Sequence, residues 1–215
     1  MKVERRHMLL YAVTDRSWLH GQSLVCAVEE VLAGGATMLQ LREKHLEHRD
    51  FLAQAQELLP LCRKYHVPLI INDDVQVALE SGADGVHVGQ SDMAVQAARS
   101  ILGPDKIIGA SAHNASEALA AVAAGADYLG CGAVFGSTTK ADAGLLSLNT
   151  LREIRVAVRV PIVAIGGINR QNIARLAGSG VDGVALISAL FAAPDKRAAA
   201  QQMLEQSLKI AGGER

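Results

Sequence analysis

The feature that most restricts what this chain can become is an alternation carried almost from end to end. Short apolar runs of strand length are each followed by an amphipathic stretch of helix length, with no Pro/Ser-rich linker or low-complexity tract between them. The apolar runs at 8–14, 37–41, 68–71, 84–88, 106–110, 127–132, 161–165 and 182–187 read as eight strands. Helical patterns follow them at 22–33, 47–65, 74–81, 93–102, 115–124, 148–157, 170–178 and 196–210. Strict βα alternation implies parallel strands joined by right-handed crossovers, hence either a closed barrel or an open doubly wound sheet.

A repeated junction favours closure. The segments AGGATMLQL, SGADGVHVG, AGADYLGCG and SGVDGVALI each run from a helix-ending glycine into an apolar strand. Glycine there supplies the left-handed turn that sends a helix back towards the sheet. The expected fold class is therefore α/β, a (β/α)8 TIM barrel, in one domain spanning residues 1–215. Half the residues are hydrophobic but only 3% are aromatic, so the core has to be built from Ala, Val, Leu and Ile.

Charge and cysteine content narrow the partners. The formal net charge is -1 and the sequence pI is near 6.7, so no global basic field exists to hold a nucleic-acid backbone or an anionic membrane. Cys26, Cys62 and Cys131 are odd in number and lack CxxC spacing, which argues against disulfides or a zinc site. The apolar run from Met8 to Val13 ends in Thr14-Asp15 rather than at a small-residue cleavage site, and no stretch approaches the ~20 apolar residues of a membrane span. A cytoplasmic enzyme acting on small molecules is expected, with no nucleic-acid or membrane partner; self-association into a homo-oligomer is left open.

In a barrel the chemistry collects on the loops that follow each strand, and here those loops are polar. After the second strand come Gln40, Arg42 and Lys44, which share one face if the chain stays extended, although a solvated charged turn would read the same. Asn72-Asp73-Asp74 follows the third strand and Gly89-Gln90-Ser91-Asp92 the fourth. Asp73 and Asp92 fit a Mg²⁺ ion that draws its remaining ligands from water and substrate phosphates, or else they cap the helices that follow. Ser111 and His113 end the fifth strand, where Ser111 is either a ligand contact or a turn residue. Ser137, Thr138, Thr139 and Lys140 follow the sixth, a set able to wrap a phosphate and close as a lid, or to be simply a mobile polar loop. Gly166-Gly167 and Ile187-Ser188 occupy the loops after strands seven and eight, where barrels commonly hold phosphate, a tight turn being the plainer alternative.

Taken in order, TDR at 14–16, QLREK at 40–44, NDD at 72–74, GVHVGQSD at 85–92, GASAH at 109–113, FGSTTK at 135–140 and AIGGI at 164–168 resemble the thiamine phosphate synthase family over nearly the whole chain. The resemblance implies transfer of the pyrimidine methyl group from 4-amino-2-methyl-5-hydroxymethylpyrimidine diphosphate to the nitrogen of 4-methyl-5-(2-phosphoethyl)thiazole, with release of pyrophosphate. Carried over by motif, Gln40, Leu41, Arg42, Glu43, Lys44, Asn72 and Ser111 would hold the pyrimidine diphosphate. Asp73 and Asp92 would bind Mg²⁺, and Ser137, Thr138, Thr139, Gly167, Ile187 and Ser188 would hold the thiazole phosphate. Arg42, Lys44 and Lys140 would carry catalysis by stabilising the departing pyrophosphate. Two departures from the family's pattern stand out: Ser137 replaces a threonine, and the 141–148 stretch is short and lacks prolines. The rival reading is a thiazole tautomerase-like isomerase on the same barrel, kept open by His113 at the rim. A non-catalytic phosphate-binding barrel is a third.

Overall fold

In the computed structural model, which describes residues 3–89, 93–136 and 145–211, the strands close into one parallel barrel in sequence order. They are β1 Leu10–Val13, β2 Met38–Leu41, β3 Leu69–Asn72, β4 Gly85–Val88, β5 Ile107–Ala112, β6 Tyr128–Cys131, β7 Ile162–Ile165 and β8 Gly183–Leu186. Six fall within the apolar runs read from the sequence, and β3 and β5 overlap theirs and run on by one and two residues. The helices are α1 Leu24–Ala33, α2 His48–Lys64, α3 Val75–Ser81, α4 Val95–Leu102, α5 Ala115–Ala123, α6 Leu148–Ala157, α7 Ser188–Phe191 and α8 Lys196–Ala211.

Three segments differ from expectation. The first strand begins at Leu10 rather than at residue 8, because Arg5–Met8 forms a 3-10 turn that seats Met8 in the floor of the barrel. Instead of a helix over 170–178 there is only a 3-10 turn, Ile173–Leu176. Two asparagines account for this. Asn172 Oδ1 accepts the Asn169 amide at 2.8 Å, and Asn169 Oδ1 accepts the Gln171 amide at 2.9 Å, side-chain bonds that compete with the helical ladder. The four-residue α7 had no counterpart in the sequence reading, since it is too short to show periodicity.

Apolar side chains divide by strand parity. One set faces outwards against the helices and forms the main core. The inward set is smaller: Met8, Tyr11, Val13, Met38, Ile70, Ile107, Tyr128, Val163 and Ala185 pack inside the barrel. Burial pushes the thiols of Cys62 and Cys131 up to about 12, while Cys26 is exposed. A thiol reagent at about pH 8 is therefore expected to modify Cys26 alone in the native protein and all three cysteines after denaturation, as counted by intact mass. Labelling of a second thiol at the native rate would contradict this packing.

The repeated junction has a structural job at the lower end of the barrel. Its glycines all have positive φ, 99° at Gly35, 73° at Gly82, 101° at Gly125 and 83° at Gly180. Two residues on, Thr37, Asp84, Asp127 and Asp182 accept the backbone N–H of Leu10, Leu69, Ile108 and Ile162 at 2.8, 2.9, 2.8 and 2.9 Å. Each even-numbered strand thus latches the start of the odd-numbered strand before it, satisfying an amide that opens a ladder.

Candidate active site

At the opposite end, where the strands finish, a cavity of about 410 Å³ opens along the barrel axis. Gln40, Arg42, Asn72, Asp73, Ser111, His113, Gly167, Ile187 and Ser188 line it, drawn from the ends of five strands. Gln40 and Arg42 share a face as anticipated. The extended run stops there: β2 ends at Leu41, and the chain bends at Lys44 and His45. Lys44 consequently lines a second depression beside the first, and Arg42 borders both. Leu41 has the opposite parity, so its side chain is buried in the outer core. Glu43 is tied to Arg16 at 2.7 Å; burial pushes its carboxyl up from the ordinary glutamate value, with Arg16 pulling the other way. Asp92, Ser137, Thr138, Thr139 and Lys140 lie outside the described residues.

Arg42 is the least satisfied group in the cavity. It is 7% exposed, and its Nη2 is buried with no hydrogen-bond partner among the described residues. Its Nη1 is 3.6 Å from Asp15 Oδ2, beyond good hydrogen-bond range. The backbone, by contrast, is well fixed, since the Arg42 amide donates to Thr14 Oγ1 at 2.9 Å. The TDR segment therefore works as a clamp: Thr14 holds the Arg42 backbone, Asp15 faces its guanidinium, and Arg16 holds Glu43. Leaving a buried guanidinium N–H unpaired costs about 1–3 kcal/mol, and an anionic ligand would remove that cost.

The aspartates separate into two roles. Asp74, not Asp73, caps α3, its Oδ1 accepting the Val77 amide at 2.8 Å. Asp73 is thereby released from the capping alternative. It sits at φ 66°, exposed at the rim, and its Oδ2 accepts from Asn72 Nδ2 at 2.5 Å. Among the described residues no three His, Cys, Asp or Glu side chains converge as a metal site.

Ser111 is not a turn residue. It lies within β5, and its Oγ is 3.1 Å from His87 Nε2. His113 lines the cavity beyond it and is held by Glu117, which takes both its backbone amide at 2.8 Å and its Nδ1 at 2.9 Å. Burial by itself would raise the Glu117 carboxyl, but those bonds from His113, with one from Asn114, outweigh it and hold it below the ordinary value.

On the far side, Gly166 and Gly167 have φ of 104° and 63°. A Cβ on Gly167 would lie 2.6 Å from the carbonyl oxygens of Phe135 and Gly136, so only glycine lets the loops after β6 and β7 meet backbone to backbone. Ile187 and Ser188 face them at the start of α7. Tyr11 and His87, which the sequence reading passed over, also line the cavity. Their signal was a polar side chain at an inward position of an otherwise apolar strand.

This arrangement can be compared with known proteins. Residues 10–190 match the family described as Thiamine monophosphate synthase. The chain belongs to the thiamine-phosphate synthase family. That makes it a transferase. It is 52% identical over 195 residues to the thiamine-phosphate synthase of Chloroflexus aurantiacus, covering 90% of each chain. The Clostridium novyi thiamine-phosphate synthase is 48% identical over 195 residues, covering 90% of this chain and 96% of that one. The solved thiamine phosphate pyrophosphorylase of Pyrococcus furiosus superimposes with a TM-score of 0.88 at 40% identity, over 96% of this chain and 98% of that chain. Among the described residues, no helix of this family member is long and apolar enough to cross a membrane.

Proposed function

We propose that this chain condenses an aminopyrimidine methyl diphosphate with a thiazole phosphate to give thiamine phosphate and pyrophosphate. The observation that carries the reading is Arg42 Nη2, a buried donor without a partner among the described residues, on a side chain that lines the same cavity as Gln40, Asn72 and Ser111. A diphosphate satisfies that donor, and Arg presents a planar fork suited to its oxygens.

The donor set also fits magnesium. Asp73, freed from capping and set at the cavity's edge, would hold Mg²⁺ together with Asp92, an ion that takes one or two carboxylates and completes its shell with water and phosphate oxygens. When bound, Mg²⁺ supplies neutralisation of the charge that grows on the leaving diphosphate. Arg42, Lys44 and Lys140 share that task from the protein side. Gln40, Asn72 and Ser111 orient the pyrimidine ring, whose amino group spreads the positive charge that develops as the C–O bond breaks. Leu41 and Glu43 contribute through the backbone of the same segment. Gly167, Ile187 and Ser188, with Ser137, Thr138 and Thr139, hold the acceptor's phosphate. No general base is required, because the thiazole nitrogen already carries a free lone pair; its alignment and the exclusion of water complete the protein's part.

The test is direct: purified protein given both substrates and Mg²⁺ should form thiamine phosphate and pyrophosphate in equal amounts, and chelation should stop it. One observation supports a second reading. His113 lines the cavity with its Nδ1 engaged by Glu117, an arrangement suited to shuttling a proton. If no condensation occurs and a thiazole carboxylate phosphate is isomerised in a His113-dependent way, the tautomerase reading replaces the synthase. A small-molecule enzyme of the cytoplasm, free to form a homo-oligomer, completes the proposal.

A further inference from the structure

Tyr128 does not line the cavity and is fully buried, yet it joins two side chains that do. Gln40 Nε2 donates to Tyr11 Oη at 2.8 Å, and Tyr11 Oη is 2.8 Å from Tyr128 Oη. Tyr128 Oη is 3.0 Å from His87 Nδ1, and His87 Nε2 is 3.1 Å from Ser111 Oγ. The barrel is built to allow this chain. His87, Gly109 and Tyr128 are register neighbours on β4, β5 and β6, and a Cβ on Gly109 would stand 2.1 Å from the Tyr128 ring. A glycine between them lets the histidine and tyrosine meet across an intervening strand. Gly130 leaves similar room, since a Cβ there would lie 3.0 Å from His87 Cε1.

The chemistry of the groups gives the chain a direction. An amide nitrogen only donates, so Tyr11 Oη accepts from Gln40, and its single proton is passed towards Tyr128. Tyr128 in turn donates to His87 Nδ1. The imidazole is then neutral with its proton on Nε2, and it donates to Ser111 Oγ. Burial, the largest influence on both phenols, pushes their pKa values well above the ordinary tyrosine value, so each keeps the proton the chain requires. At one end the Gln40 carbonyl oxygen is left for the cavity; at the other, the Ser111 proton is turned away from His87.

We propose that Tyr128 is a positioning residue for ring recognition: by completing a one-way hydrogen-bond chain, it fixes Gln40 as an acceptor and orients Ser111, selecting a heteroaromatic ring that offers an amino donor to Gln40. The substrate part of this inference rests on the synthase reading; the direction of the chain does not.

Two measurements test it. In wild-type protein without substrates, ¹⁵N NMR of the His87 imidazole should show the proton on Nε2 and a bare Nδ1. Tyr128→Phe cuts the chain while keeping the ring. It should leave His87 without a single tautomer and raise KM for the pyrimidine diphosphate about tenfold, one neutral hydrogen bond's worth of orientation, with KM for the thiazole phosphate within about twofold. A wild-type His87 protonated on Nδ1 overturns the proposal. So does a Tyr128→Phe enzyme whose pyrimidine KM is unchanged, or whose two KM values rise together, as a merely structural residue would give. If the variant fails to fold, the wild-type tautomer alone decides. If the wild type condenses nothing, the synthase reading fails while the NMR result still judges the chain.

Discussion

Replacing Arg42 by methionine is expected to lower kcat/KM for pyrophosphate release by about 10²–10³-fold, the usual loss when one electrostatic donor to a developing oxyanion is removed, without lowering the melting temperature. The two halves of this expectation have different causes. Activity falls because, on the proposed reading, the guanidinium is the buried donor that meets the diphosphate. Stability holds because, among the described residues, that group's Nη2 has no partner and its Nη1 is 3.6 Å from Asp15. The backbone bond to Thr14 survives the substitution, and methionine keeps most of the buried stem. Steady-state pyrophosphate release and calorimetry on the same samples separate the outcomes. Activity within a few-fold of wild type would remove Arg42 from the site, and a large drop in melting temperature would assign it to the fold.

The largest expected loss of stability lies at the other end of the barrel, at Asp182. Its carboxylate is 3% exposed and accepts from Ile162 N at 2.9 Å, Arg155 Nη1 at 3.2 Å and Arg5 Nη1 at 3.0 Å. Asp182→Ala strips the buried Ile162 amide and the largely buried Arg155 of their acceptor, together with the more exposed Arg5. Breaking a buried pair from one side costs about 3–5 kcal/mol, which for a chain of this size lowers the melting temperature by roughly 10 °C. Because Asp182 is at the opposite end of β8 from Ile187, kcat measured well below the transition should stay within about twofold of wild type. A melting temperature unchanged by the substitution would show that these bonds are replaced by water at little cost.

These two residues also show how differently the ends of the barrel are written in the sequence. The junctions that carry Thr37, Asp84, Asp127 and Asp182 form a visible repeat, because every helix that returns to this barrel meets the same geometric demand and answers it with glycine and a short acceptor. The functional rim has no such repetition, since each of its loops does something different. Residue type and place after a strand were enough to bring Gln40, Arg42, Asn72, Asp73, Ser111, Gly167, Ile187 and Ser188 to one cavity. They were not enough for Lys44, whose direction depends on where β2 stops.

By itself, then, the sequence determined a parallel sheet wrapped in helices, since eight apolar runs alternating with amphipathic stretches can bury both faces in no other way; the repeated glycine junction favoured closure, and the motifs after the strands carried the family resemblance. Tertiary structure decided the rest. It assigned capping to Asp74 and the rim to Asp73, reduced an expected helix to a single turn at Ile173–Leu176, left Arg42 Nη2 without a partner among the described residues, and joined Tyr11, His87 and Tyr128 into one chain. The physical reason is that periodicity reports which face of an element is apolar, whereas a hydrogen-bond partner is fixed by barrel closure. Closure sets side by side residues as distant in the chain as Tyr11 and Tyr128, and only there does the empty space at Gly109 acquire its purpose.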